Sequence, residues 1–522
     1  MILLFVFIFI FVIYVILRQY RLYNELKKCG LHPQFDIFGW NGLFWLDSCD
    51  IHKNITKKCQ ELGHNTFSLL RGSRPVVVVS DVDLIHSIST QNYDCFHSRI
   101  PEIFDDDPIS SAPVHMFAAR GERWKRLRTL TSYALSTTKL RTLFPTIDEC
   151  ADGFLDHVNK LGFSKNDPLV VENSHRLFQN HTSFVMVQCA YGYFGKDTSH
   201  DNNNFLNYVL NAFGAMSDYK NGTLERLSYL LPELKKIFKH FSSFLDNKNR
   251  QEFLDHLYAL ISVFYLDFDT DNKPYSLLKF FYSHRDHTSS GVKENGYGKI
   301  DMKNVRVDKR ISNQEILAQC KFLAVAGFDT TANTMTLLFN FLAIFPDIQE
   351  QLYQSEIKEQ SEPLSYDSLC EKSFLQNCIF ETLRLYPHAS PLQQRICTAD
   401  CTINEKYHFK TGYEIILNPW IAHHDKNIWG DDVEIFRPSR FENLTEKQKR
   451  AFMPFGVGPR QCVGMRFALL ELKTTVFRVL ETYSIHPNDK TRLDVRMTAR
   501  DTGTIWPDND LGLILKKRNI YG

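Results

Sequence analysis

Hydrophobic and polar positions divide the chain into unlike stretches. Met1 to Leu17 is unbroken apolar sequence rich in aromatics, with Arg18, Arg21, Lys27 and Lys28 close behind. A span of about 17–25 apolar residues can cross a bilayer. The pattern therefore predicts an uncleaved transmembrane anchor over residues 1–17 and a basic linker over 18–35. A cleavable leader wants a basic start and a small-residue cleavage site, and neither is present. Pro75-Val-Val-Val-Val-Ser80 reads as a strand, paired across Arg71-Gly72-Ser73 with a strand near Thr66 to Leu70. From Asp81 onward helical periodicity dominates, and Glu122 to Leu143 carries a basic amphipathic run. Phe205 to Phe268 is aromatic with interspersed lysines and suits either a pocket cover or a membrane surface. His284 to Arg310 reads as an exposed polar loop. Ser312-Asn-Gln-Glu315 then fits a capping box. The apolar helix behind it runs to about Phe345, where Pro346 stops it, on the order of 45–50 Å long.

Charge and cysteine usage narrow the classes. The 522 residues include 61 basic and 60 acidic side chains, a net +1 that offers nothing to nucleic acid. Twelve cysteines are scattered without the spacing of a disulfide framework, which places the body in a reducing compartment. Cys397 and Cys401 form a C-x-x-x-C with no second pair, and no H-E-x-x-H occurs. A basic flank stays on the cytosolic side. The N-x-S/T matches at Asn54, Asn180, Asn221 and Asn443 are then expected to be unglycosylated.

Three local patterns carry candidate chemistry. Phe455-Gly-Val-Gly-Pro-Arg-Gln-Cys-Val-Gly464 is a Gly-rich loop that opens a helix. Backbone N–H groups there hydrogen-bond a thiolate and lower its pKa, which suits Cys462 to metal ligation; a packed structural thiol is the alternative. Ala326-Gly-Phe-Asp-Thr-Thr331 puts an acid and an alcohol inside an apolar helix. Gly327 permits close approach to the backbone, so the run reads as a bulge or groove facing a bound group, or as a helix-packing point with a solvated Asp329. Glu381 and Arg384 share a helix face, and Arg440 is placed to complete a buried network.

In order and spacing these patterns resemble the cytochrome P-450 superfamily. Phe455, Gly458, Arg460, Cys462 and Gly464 fill its F-x-x-G-x-R-x-C-x-G signature. The Ala326–Thr331 run matches its oxygen-activation motif, Glu381 and Arg384 its E-x-x-R, Arg440 the arginine that follows, and Trp124 with Arg128 its W-x-x-x-R. The runs around Trp124 and Gly464 look most like animal microsomal drug- and steroid-oxidising enzymes and thromboxane synthase. The resemblance implies a mainly α fold with a small β-rich lobe, one catalytic domain over residues 36–522 and the cofactor haem b (iron protoporphyrin IX). Cys462 would be the axial iron ligand, with Phe455 packed beside it. Trp124, Arg128, Arg395 and Arg460, with Arg99 as a further candidate, would hold the haem propionates. Ala326 and Thr330 share the face toward haem, Thr330 and Asp329 would serve oxygen activation and proton relay, and Glu381, Arg384 and Arg440 would be structural. Departures are a nearly proline-free hinge after the anchor and Ser439 where an acid is common.

The function implied is a membrane-anchored haem-thiolate monooxygenase in the endoplasmic reticulum, with its catalytic domain in the cytosol. It would place one oxygen atom of O2 in a lipophilic small molecule. Alternatives are an isomerase or dehydratase acting on a peroxide, which needs no proton delivery by Asp329 and Thr330, and a non-catalytic haem protein. No dinucleotide fingerprint follows a strand and opens a helix. Electrons would therefore come from another protein, which the resemblance implies is NADPH-cytochrome P-450 reductase, with cytochrome b5 as a further partner. Lys125, Arg126, Arg466 and Lys473 are candidates to steer an acidic partner, or ordinary solvated charges. Pocket-lining segments are expected near Pro101 to Ala119, Phe205 to Leu245, Ser390 to Leu392 and Asp501 to Ile505.

Overall fold

A computed structural model describes residues 2–40, 42, 50–101, 108–162, 168–192, 223–245, 275–286, 294–358, 360–499, 504–507 and 510–518. The apolar N-terminus forms α1 (Ile2–Lys28), which does not stop at residue 17. Beyond that point the helix has an inner face: Leu22 and Leu26 pack with Cys29 and Leu31 into the core around the main sheet. Gln19 Nε2 also donates to the Gly72 carbonyl at 2.8 Å. The stretch read as a linker is therefore largely packed structure. A spanning anchor is not supported, because among the described residues no helix is long and apolar enough to cross a membrane. The side chains of residues 1–4, 7 and 8 lie outside the described set. Length is the physical difficulty: the apolar run makes about 26 Å of helix against a hydrocarbon core of about 30 Å. Phe5, Phe9, Ile10, Ile13 and Leu17 are exposed along it.

The expected hairpin forms. β1 (Thr66–Arg71) and β2 (Arg74–Val79) pair antiparallel, with Arg71 opposite Arg74, and Gly72 at φ +59° makes the turn. Val76 to Val79 are wholly buried. They need to be apolar throughout because β4 (Glu414–Leu417) flanks β2 in parallel, and β3 (Gln394–Ile396) extends the sheet antiparallel to β4. Helices make up most of the remainder, so the architecture is mainly α with small β-sheets.

The long helix is α4 (Asn313–Ile344), 32 residues. Its capping box is present, Ser312 and Glu315 exchanging side-chain and backbone bonds, and Pro346 opens the next helix. Every side chain from Thr331 to Ala343 is buried, as the helix passes α3 (Ser174–Tyr191), α5 (Ser373–Leu385) and α6 (Met465–Thr482). Leu317, Lys321, Phe322, Val325, Ala326 and Thr330 are only half-buried and mark the unsealed face. The helix shows no bulge at Gly327. A Cβ there would collide with Met186 of α3, so the glycine serves a close helix crossing.

The polar loop is less free than its composition suggests. Residues 294–310 are strapped to α2 (Gly121–Ala134): Arg126 pairs with Glu294 at 2.6 Å, and Lys125 Nζ donates to the carbonyls of Met302, Lys303 and Val305. Ile300 and Met302 are buried beneath it.

One acid in α6 is buried unsatisfied. Glu471 has no exposed surface and neither carboxyl oxygen has a hydrogen-bond partner. Burial pushes its carboxyl well above the usual range. The folded chain thus keeps a proton that the unfolded chain releases. This contribution is fully present below the unfolded value, about pH 4.3. It declines above that by up to about 1.4 kcal/mol per pH unit until the folded value is reached. Glu471→Gln should remove that decline, so its denaturant midpoint overtakes wild type as pH rises; parallel pH dependences would show that the acid is charged in the fold.

Candidate functional site

The cysteine loop rests on glycine geometry. Gly456 and Gly458 have φ of +74° and +73°, and a Cβ at Gly458 would collide with the Ser89 carbonyl. The Cys462 N–H donates to the Phe455 carbonyl at 2.8 Å, and Gln461 N–H to that of Gly458 at 3.0 Å. The loop so folded delivers the sulfur to the start of α6, where Gly464 is the N-cap. Phe455 is half-buried against the main core. Cys462 is exposed. Burial pushes the thiol up, against the N–H groups of Gly464 and Met465 and the charges of Arg128 and Arg99.

Four arginines gather beside this loop. Arg128 Nη1 donates to the Gln461 carbonyl at 2.6 Å, tying α2 to the loop. Arg99 lies 4.0 Å over the Phe117 ring and donates to the Leu392 carbonyl. Arg395 donates to the Gln394 carbonyl at 2.7 Å. Arg460 lies 4.5 Å over the buried Trp124 ring and spends its donors on the carbonyls of His97, Met116, Phe117 and Ala119. It supplies charge and fastens that segment more than it offers free donors. Burial pushes Arg395 and Arg460 down to about 10, and Arg99 well below its usual value. Among the described residues none of the four is ion-paired to a carboxylate, and the buried Nε atoms of Arg99 and Arg395 have no hydrogen-bond partner. Like charges held together in a dry place are costly unless an anion joins them.

That donor set fits an iron porphyrin. Among the described residues no group of three or more His, Cys, Asp or Glu side chains could hold a metal ion. A lone sulfur is enough where the macrocycle brings its own nitrogens, and two propionates would answer the arginines in bidentate fashion.

The acid–alcohol pair divides. Thr330 is half-buried on the unsealed face of α4 with Ala326, and its Oγ1 donates to the Ala326 carbonyl at 2.8 Å. Asp329 points elsewhere. It is 2% exposed and accepts from Trp506 Nε1 at 2.8 Å, Thr504 Oγ1 at 2.9 Å, Gln179 Nε2 at 3.3 Å and Asn333 Nδ2 at 3.5 Å. It is therefore neither a solvated acid nor one lining a groove. Its partners lie too far along the chain to be read from sequence; the only signal was that a buried carboxylate needs donors.

The structural network is as expected. Arg384 grips Glu381 through Nε at 2.7 Å and Nη2 at 2.9 Å, and Arg440 Nε reaches Glu381 at 3.2 Å, all fully buried. Asp432 accepts from Arg440 at 3.1 Å, covering the acid missing at Ser439.

The cytochrome P450 family model matches residues 33–510. The chain belongs to the cytochrome P450 family. It is 30% identical to cytochrome P450 CYP13A8 of Caenorhabditis elegans over 495 residues, covering 92% of this chain and 93% of that one. It is 29% identical to CYP13A6 of the same organism over 459 residues, 84% and 85% of the two chains. As a cytochrome P450 it is an oxidoreductase of the monooxygenase kind, with haem bound through a cysteine thiolate as cofactor. Two of the cations considered for steering a partner are unsuited to it in this cytochrome P450: Arg126 and Lys473 are buried, paired with Glu294 and Glu315 and bonded to the Leu369 carbonyl respectively. Lys125 is spent on the strap, while Arg466 donates to Thr137 Oγ1 at 3.0 Å on the surface. Of the expected pocket segments, residues 102–107, 205–222 and 501–503 lie outside the described set. His115 is described, stacked on Phe322 of α4 at 4.7 Å.

Proposed function

We propose that this cytochrome P450 is a membrane-attached monooxygenase of lipophilic small molecules, with Cys462 the axial ligand of haem b. In this reading electrons pass from NADPH through a separate reductase, with cytochrome b5 as an additional donor, and the catalytic body faces the cytosol at the endoplasmic reticulum. The observation that carries it is the cluster of Arg99, Arg128, Arg395 and Arg460 beside the Cys462 loop, held without a carboxylate partner among the described residues. Haem, when bound, supplies the O2 chemistry, and a thiolate ligand favours O–O cleavage. Arg99, Arg128 and Arg395 would bind and orient its carboxylates, with Arg460 adding positive charge. Thr330 has given its hydroxyl hydrogen to Ala326, which leaves oxygen lone pairs to accept a proton donor on the unsealed face. Phe322, Val325 and Ala326 line that face with apolar surface, which suits a lipophilic substrate and excludes water. Attachment to lipid rests on the exposed apolar side chains of α1 together with Leu234, Ile237 and Phe241, joined to α1 through Arg18 and the Leu230 carbonyl.

The test is reconstituted turnover. Product should require NADPH, reductase and O2 together. Thr330→Ala should cut product per NADPH by about tenfold or more, with the balance released as hydrogen peroxide. Conversion of a peroxide substrate without NADPH, and unchanged by Thr330→Ala, would favour the isomerase reading instead.

A further inference from the structure

The Asp329–Thr330 pair is held from outside α4 by one short hairpin. β5 (Met497–Ala499) and β6 (Ile505–Pro507) pair antiparallel near the C-terminus. Among the described residues, Trp506 and Thr504 make short contacts to Asp329, at 2.8 and 2.9 Å, both on Oδ2. The helix-borne donors Gln179 and Asn333 stand at 3.3 and 3.5 Å, at or beyond the usual limit for an N–H···O bond. The indole N–H is shared with Thr504 Oγ1 at 2.9 Å, while the threonine hydroxyl donates to the acid. The indole ring is itself set edge-on to His175 of α3, centroids 4.9 Å apart.

Between these two residues, the hairpin also reaches the alcohol. The Ile505 N–H donates to the His388 carbonyl at 2.9 Å. His388 Nε2 meets Thr334 Oγ1 at 2.9 Å, and Thr334 donates to the Thr330 carbonyl at 3.0 Å. A hydroxyl both donates and accepts, so Thr334 can join His388 to the Thr330 carbonyl. Three consecutive residues of the chain thus hold Asp329 directly and reach the Thr330 main chain through His388 and Thr334.

We propose that Trp506 and Thr504 are positioning residues that fix the Asp329 carboxylate on the sealed side of α4, and with it the turn that presents Thr330 on the unsealed face. Resting on the monooxygenase reading above, the idea assigns the coupling of oxygen use to product formation to a hairpin that need not touch the reacting atoms. An indole N–H is donor only; it can orient the carboxylate and favour its ionised form but not exchange a proton with it.

Trp506→Phe removes the N–H and keeps a ring against His175, and Thr504→Val removes the hydroxyl at nearly constant shape. Both go into the full-length holoenzyme with reductase, beside Asp329→Asn. Each variant should release about tenfold more hydrogen peroxide per NADPH than wild type. Haem content and the spectrally measured substrate dissociation constant should stay at wild-type values. If Asp329→Asn uncouples while Trp506→Phe and Thr504→Val couple normally, the positioning role is wrong. Peroxide release that rises only in step with lost haem or weakened substrate binding makes the hairpin merely structural and overturns it too. If Asp329→Asn itself couples normally, the role of Asp329 fails first.

Discussion

Cys462→Ala should give a folded chain that lacks the red-shifted absorbance band of the reduced carbonyl complex altogether. The loss is expected to be complete rather than graded, because the loop presents a single sulfur. The loop is built to present one sulfur: Phe455 and Gly458 carbonyls fold it back, and Gly456 and Gly458 take backbone angles that other residues resist. Alanine fits those angles poorly no more than cysteine does, since residue 462 itself has no positive φ. Far-ultraviolet circular dichroism should therefore be retained while the band disappears. A variant that kept the band would remove Cys462 from the iron.

Glu381→Ala should be the most damaging change away from the cysteine. The carboxylate accepts from Arg384 Nε and Nη2, Arg440 Nε and the Arg437 N–H. Both side-chain partners are fully buried, so truncation strands two guanidinium groups at once. Removing one member of a buried pair costs about 3–5 kcal/mol. The readout is the denaturant midpoint together with haem retained per chain, and both should fall. Arg141→Ala, which breaks an exposed pair with Asp367, should leave the midpoint in place. A Glu381→Ala midpoint close to wild type would mean that main-chain carbonyls, which Arg384 meets at His423 and Val433, suffice to hold the arginines.

Local patterns were legible. The Ser312–Glu315 cap, the Pro346 stop, the hairpin around Gly72 and the cysteine loop each depend on residues within a few positions of one another. The E-x-x-R pair was legible for the same reason. Readings failed where distance along the chain hides the partner. Gly327 looked like room for a ligand and is room for Met186. Asp329 looked like a pocket acid and is held by Trp506 and Thr504, from a segment some 175 residues on. Lysine and arginine in α2 looked available to a partner, but the strap at residues 294–310 uses them. At the N-terminus, hydropathy marked the apolar run and missed the inner face that carries α1 on to Lys28.

The uncompensated arginines also bear on how the protein matures. Without a cofactor the chain must hold Arg395 and Arg460 buried beside half-buried Arg99, so the fold is electrostatically unfinished. A group that binds only the finished fold stabilises it by mass action. The yield of folded chain in a cell then follows the supply of haem during synthesis. Chains made faster than haem arrives would be the ones exposed to proteolysis at the Cys462 loop and the segments that Arg460 fastens.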